Sequence, residues 1–138
     1  MGQVVFHTGV ADKVDYIARL VRKGSRQGAR MVVVCDDPAA VSTALWAGAP
    51  VDFVVHATAQ SDAATLLASS VILMRSASVA GRDLYQDVLV NACEAWPETH
   101  AQYLRVIELV GQAPSDVTAG RERWKKYVSA GAQPDKLG

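Results

Sequence analysis

The chain has 138 residues, half of them apolar and a fifth charged, a balance that suits one buried core and excludes a fibre or a disordered chain. Fourteen basic residues cancel fourteen acidic ones, so no global field draws in a polyanion such as duplex DNA, and any electrostatic site has to be local. The start MGQVVFHTGVADK lacks the pattern of a signal peptide, and no run reaches the ~18 apolar residues of a membrane span, so the expectation is a cytoplasmic protein without membrane contact.

Gln3 to Phe6 is a short apolar run closed by His7 and Thr8, which suits a buried strand. Val14, Ile17, Ala18 and Val21 then recur at i, i+3, i+4, i+7, the spacing of one helix face. Lys23 and Arg26 favour the negative end of that helix, and Gly28 stops it. Met31 to Val34 reads as a fully buried strand. Asp37 and Pro38 form a helix start, because Asp37 can accept an N-terminal N–H while Pro38 needs none, and Val41, Ala44 and Leu45 face inward from the helix that follows.

Phe53 to Val55 reads as the next strand. Residues 57–70 are small and low in charge, and they support either a helical turn or a connection. Val71 to Met74 and Val88 to Val90 are further short strands, separated by a surface loop over 75–87. A short helix or turn is expected over 97–103. Leu104 to Val110 reads as the last strand with a mixed pattern, Pro114 and Ser115 open a final helix, and GAQPDKLG trails off as a polar terminus. Strands alternating with helices predict an α/β fold in a single domain over 1–138, with a mainly parallel central sheet and helices on both faces.

Chemistry-bearing patterns are sparse. Neither G-x-x-x-x-G-K-[ST] nor G-x-G-x-x-G occurs, so no phosphate-binding loop is expected. Cys35 and Cys93 have no close ligand-type neighbour at metal spacing, and the reading is one without cofactor or metal. An enzymatic or nucleotide-binding alternative would centre on Cys35, Asp36 and Asp37, at the edge where open α/β sheets place ligands. Against it, cysteine is often buried as a small hydrophobe and Asp37 already serves as an N-cap. His7, His56 and His100 are isolated in sequence, and no nucleophile, base and orienter set can be assembled. Trp46 falls off the Val41/Ala44/Leu45 stripe and Phe53 opens the next strand. The two either anchor a protein interface or cap the edge of the core.

In the final helix Arg121, Trp124, Lys125 and Val128 share one face, while Tyr127 and Val128 are expected to dock the helix on the sheet. Glu122 and Lys126 form an expected i,i+4 pair, which leaves Arg121, Arg123 and Lys125 as cations around an indole. An arginine beside an indole offers a forked donor to a carboxylate and an apolar wall for a ring.

The segment YLRVIELVGQAPSDVTAGRERWKKYVSAG resembles the C-terminal region of the chi subunit of bacterial DNA polymerase III holoenzyme, where an RVIE-type strand precedes a helix carrying R-E-R-aromatic-K-x-Y. ALWAGAPVDFVVH is similar to the family's A-L-W…F-x-P-H segment, with Val55 in place of proline. GRDLYQDVLVNA is similar to its R-D-x-L-I-N stretch, and GARMVVVCDD to its glycine-to-strand step. The resemblance covers most of the chain in order, residues 57–70 excepted. It implies a non-enzymatic α/β subunit of the clamp-loader assembly in DNA replication. Such a subunit is expected to bind the small psi subunit and to hold the acidic C-terminal tip of single-stranded-DNA-binding protein, and the neutral net charge argues that any contact with nucleic acid is indirect. By position, Arg121, Trp124 and Lys125 would line the tip pocket. Arg121 would pair with the terminal carboxylate and Trp124 would pack on the last aromatic ring. Trp46 and Phe53 would belong to a surface for psi or for a helicase partner. A family lysine one turn before the arginine is Val117 here, which implies a basic side that is either weaker or rebuilt from Arg123.

Overall fold

The computed structural model describes residues 3–46, 56–58, 71–74, 87–97 and 100–137. Along the chain come β1 (Gln3–Val10), α1 (Lys13–Arg26), β2 (Met31–Val34), α2 (Pro38–Trp46), β3 (His56–Thr58), β4 (Val71–Met74) and β5 (Val88–Asn91). A 3-10 turn at His100–Gln102, β6 (Arg105–Gly111), α3 (Pro114–Ser129) and β7 (Asp135–Leu137) complete it. Among the described residues seven strands make one sheet in the order β3-β4-β2-β5-β6-β1-β7, and every paired neighbour is parallel.

A parallel sheet covered on both faces needs strands that are apolar on both sides. Met31–Val34 and Val71–Met74 meet that need, since every one of their residues is buried. Alternation sorts the two faces. Val4, Phe6, Val32, Val34, Ile72, Met74, Leu89, Val106 and Val110 share a cluster with Tyr127 of α3. Met31, Val33, Val71, Leu73, Val90, Ile107 and Leu109 lie with Ile17 and Val21 of α1 and with Val41 and Leu45 of α2. Helices therefore cover both faces, as the alternation of elements in the sequence predicts.

Local signals explain the helix ends. Asp12 caps α1 by accepting the Asp15 N–H at 3.2 Å, and Asp37 caps α2 by accepting the Ala40 N–H at 3.1 Å. Gly28 takes a positive φ of 80° behind α1, where the Gly28 and Ala29 amides close back on Ser25 and Gly24. The same closure ends α3: Gly131 has φ 92°, its amide donates to the Val128 carbonyl, and the Ala132 amide donates to the Tyr127 carbonyl at 3.0 Å.

That second closure corrects the reading of the C-terminus as a loose polar tail. Reversed by Gly131 and held by a partly buried Ala132, the chain returns to the sheet and pairs Asp135, Lys136 and Leu137 with Val5, Phe6 and His7. No apolar alternation marks β7, because an edge strand of exposed residues is stabilised by its backbone hydrogen bonds. β1 is longer than its apolar run suggests. His7 is buried because β6 and β7 pair with it on either side, and Thr8 is half-buried where the β6 register shifts between His7 and Val10. The expected strand at Phe53 to Val55, the body of 57–70 and the loop over 75–86 lie outside the described residues.

Candidate functional site

Two depressions flank the end of β6. The first, of about 610 Å³, lies between α3 and the edge strand β7. Phe6 of β1 and Val110 of β6 form its apolar floor, Val117, Gly120, Arg121, Trp124 and Lys125 its helical wall, and Lys136 its opposite rim. Gly120 sets the close approach of helix to sheet, because a Cβ there would stand 2.8 Å from Val110 Cγ2. The Trp124 ring leans on Phe6 with centroids 5.0 Å apart, and Phe6 in turn meets Tyr127 edge-on at 5.9 Å. One part of the indole is thereby fixed against the core while the ring still lines the groove.

Of the helix residues singled out by sequence, Arg121, Trp124 and Lys125 come together in this groove. Arg123 does not. It is 2% exposed and points into the sheet, where its Nε donates to Glu108 Oε1 at 2.9 Å and its Nη1 to the Glu94 carbonyl at 3.0 Å. Asn91 Nδ2 and the Tyr127 hydroxyl also donate to Glu108, at 2.9 Å and 2.7 Å. Burial pushes the Glu108 carboxyl up from its ordinary value, and these three donors and the Arg123 charge work against that shift. The buried glutamate accounts for the mixed pattern of β6. A rebuilding of the groove's basic side from Arg123 is excluded, since the guanidinium is committed beneath the helix.

Two other pairings differ from helical spacing alone. Lys125 Nζ reaches Glu122 Oε1 at 3.4 Å across an exposed i,i+3 step, and Lys126 instead lies 5.5 Å above the Trp96 ring. Val128 is 52% exposed and does not dock the helix, whereas Tyr127 is fully buried against Trp96 and His100. Val117 stands in the groove wall as an apolar, partly buried residue. Lys136 is the groove residue that sequence reasoning missed. Its signal was present in the helix-terminating Gly131 followed by a short extended segment, but the strand partner is more than a hundred residues away in sequence.

The second depression, of about 620 Å³, sits at the C-terminal ends of the strands and is lined in part by Lys13, Asp36, Cys93, Glu94 and Asp116. Lys13 Nζ bridges Asp116 Oδ2 at 2.9 Å and the Ala92 carbonyl at 2.8 Å, and the Gly111 N–H also donates to Asp116. Burial alone would raise the Asp116 carboxyl, but the Lys13 bond, the Gly111 amide and the charges of Lys13 and Arg123 outweigh it and hold the group below its ordinary value. Cys93 donates to Asp36 Oδ1 at 3.4 Å, and burial and that carboxylate push its thiol up to about 12. A thiol so held stays protonated and is a poor nucleophile. Cys35 is buried and Asp37 caps α2, so two of the three residues of the enzymatic alternative have structural work.

The histidines are held by structural contacts where they are described. His7 Nδ1 bonds the Tyr16 hydroxyl, and His100 Nδ1 bonds the Pro97 carbonyl at 2.9 Å. Among the described residues no three His, Cys, Asp or Glu side chains converge in a way that could hold a metal ion. Nor is any helix there long and apolar enough to cross a membrane. Trp46 closes α2, with its side chain outside the described residues, and Phe53 lies outside them altogether.

A search among curated proteins returned no match. Residues 1–135 match the family model described as DNA polymerase III chi subunit, HolC. The match takes in nearly the whole chain, including β7 through Asp135, and the chain belongs to that family.

Proposed function

We propose that this member of the DNA polymerase III chi subunit family is a non-catalytic bridge in DNA replication. Its groove captures the acidic C-terminal tip of single-stranded-DNA-binding protein, and a second surface binds the psi subunit of the clamp loader. The observation that carries the first half is the convergence of Arg121, Trp124 and Lys125 on one groove with an apolar floor at Phe6 and Val110.

The chemistry fits a carboxylate-terminated peptide. A guanidinium donates two parallel bonds to a carboxylate, and an indole already braced on Phe6 gives a terminal ring a rigid wall at little entropic cost. The net charge of zero suits a short acidic ligand, since binding a duplex would require several phosphate contacts and counterion release. Calorimetric titration with an Asp-rich peptide ending in phenylalanine tests the reading. Arg121→Ala weakens binding by about 1.5–3 kcal/mol, ten- to a hundredfold, and an unchanged affinity removes Arg121 from the site.

For the second surface the support is the resemblance of ALWAGAPVDFVVH to the family segment carrying Trp46 and Phe53. Trp46→Ala and Phe53→Ala each abolish co-purification with a psi subunit while the thermal transition is retained. A complex that survives both changes assigns the two rings to the core edge.

A further inference from the structure

The groove carries cations on both sides, and they do not come from the same element. Arg121 and Lys125 stand on α3, where Val117 leaves the turn before Arg121 without charge. Lys136 stands on β7. Its strand is parallel to β1 and in register with it, so that Lys136 is paired with Phe6. Side chains of directly paired residues in a sheet project to the same face. Phe6 projects toward α3, because its ring lies against Trp124 and Tyr127. Lys136 therefore rises on the groove side, whereas its neighbours Asp135 and Leu137 are directed to the other face.

Charge pairing separates the cations near this site. Lys13 is held by Asp116, Arg123 by Glu108 and Lys125 by Glu122. Among the described residues Arg121 and Lys136 have no carboxylate partner, and they line the same groove. Where the groove ends at Gly111 and Gln112 it adjoins the depression in which Asp36 and Glu94 stand beside the Lys13–Asp116 pair, a net negative set. An acidic segment is thus repelled at that end and attracted along the rim of β7.

We infer that Lys136 is the second cationic arm of the peptide groove, supplied from the edge strand opposite Arg121 of the helix. The inference rests on the proposed capture of an acidic peptide by this groove. Lys136 binds a carboxylate of the peptide from the sheet side while Arg121 binds one from the helix side. A peptide seated between them is gripped by two elements that only the tertiary fold brings together. The C-terminal strand is then part of the binding site, and losing it would weaken capture without touching α3.

The test is calorimetric titration of the full chain with an Asp-rich peptide ending in phenylalanine, at low and at moderate salt. Lys136→Ala raises Kd about threefold to tenfold and flattens its salt dependence, within the range for a partly exposed charged contact. Lys136→Arg retains binding, and adding Val117→Lys to Lys136→Ala restores it. Thermal unfolding of Lys136→Ala stays at the parent temperature, since the side chain is exposed on an edge strand. An unchanged Kd for Lys136→Ala overturns the inference. Arg121→Ala in the same series then tells which idea failed: weaker binding keeps the groove and removes Lys136, whereas unchanged binding removes the groove itself.

Discussion

Arg123 and Glu108 form an ion pair in the interior of the protein, Nε to Oε1 at 2.9 Å, with the two side chains 2% and 0% exposed. The arginine lies between Arg121 and Trp124, which line the groove, yet it points the opposite way and ties α3 to β6. The pair fixes the rotation of the helix, so that Arg121 and Trp124 reach the groove while Arg123 and Tyr127 face inward.

Breaking this pair from one side strands a charge. Arg123→Met leaves the Glu108 carboxylate with Asn91 and Tyr127 but without its counter-ion, at a cost of about 3–5 kcal/mol. Urea unfolding at neutral pH measures it. Adding Glu108→Gln to that variant recovers more than half of the loss, because the remaining group is neutral and still accepts the Tyr127 hydroxyl. A double variant no more stable than Arg123→Met would mean that lost contacts of the arginine stem, and not the buried charge, dominate.

Gly120 decides how deep the groove is. In Gly120→Ala the new methyl meets Val110 Cγ2 at 2.8 Å and Cγ1 at 3.2 Å, so α3 has to lift from β6. Overpacking of this kind costs about 1–3 kcal/mol, more than the ~1 kcal/mol that alanine gains over glycine inside a helix. The variant melts at a lower temperature and also binds the acidic peptide more weakly, since floor and wall separate. A higher melting temperature would show that the helix shifts at no cost.

Gly131 controls whether β7 reaches the sheet. Its φ of 92° is strained for any residue with a Cβ, and Gly131→Ala costs about 1–2 kcal/mol at that position. β7 is short and exposed, so the cost falls on its docking against β1. Hydrogen exchange of the β7 amides quickens while that of β6 is retained. Peptide affinity falls as it does in Lys136→Ala. Undisturbed exchange in β7 would contradict the role given to this turn.

Acid stability depends in part on Asp116. A carboxyl held below its ordinary value in the folded state contributes stability that is complete above the unfolded value and is lost as pH falls through the folded one. At neutral pH the parent chain is therefore more stable than Asp116→Asn, which also breaks the bridge to Lys13. The difference narrows as pH falls below about 4, the range in which an unfolded aspartate takes up its proton. Denaturant midpoints measured from pH 3 to 7 follow it. A gap that stayed constant over the whole range would mean that the Lys13 bridge is not the source.

Much of the architecture was legible because it rests on local physics. The runs Met31–Val34 and Val71–Met74 match their strands end for end, since strands buried on both faces must be apolar throughout. The α1 stripe, the Asp37 cap and the Gly28 stop also read directly, because 3.6-residue periodicity and capping act within a few residues. Family membership was legible as well: four segments resemble the family's pattern in order, and the family model matches residues 1–135.

Three features were decided by the tertiary structure alone. Helical spacing places Arg121, Trp124 and Lys125 near one another, but it assigns no direction to Arg123. That direction depends on Glu108, which sits on a different element and needed a partner to be buried at all. The edge strand β7 carries no apolar pattern, so only its pairing with β1, across nearly the full length of the chain, marks it as structure. Lys136 follows from that pairing. Sequence by itself determined the layers, the family and the helical half of the groove, because periodicity and capping are short-range. The sheet half, and the lysine that stands on it, had to wait for contacts that bring the two ends of the chain together.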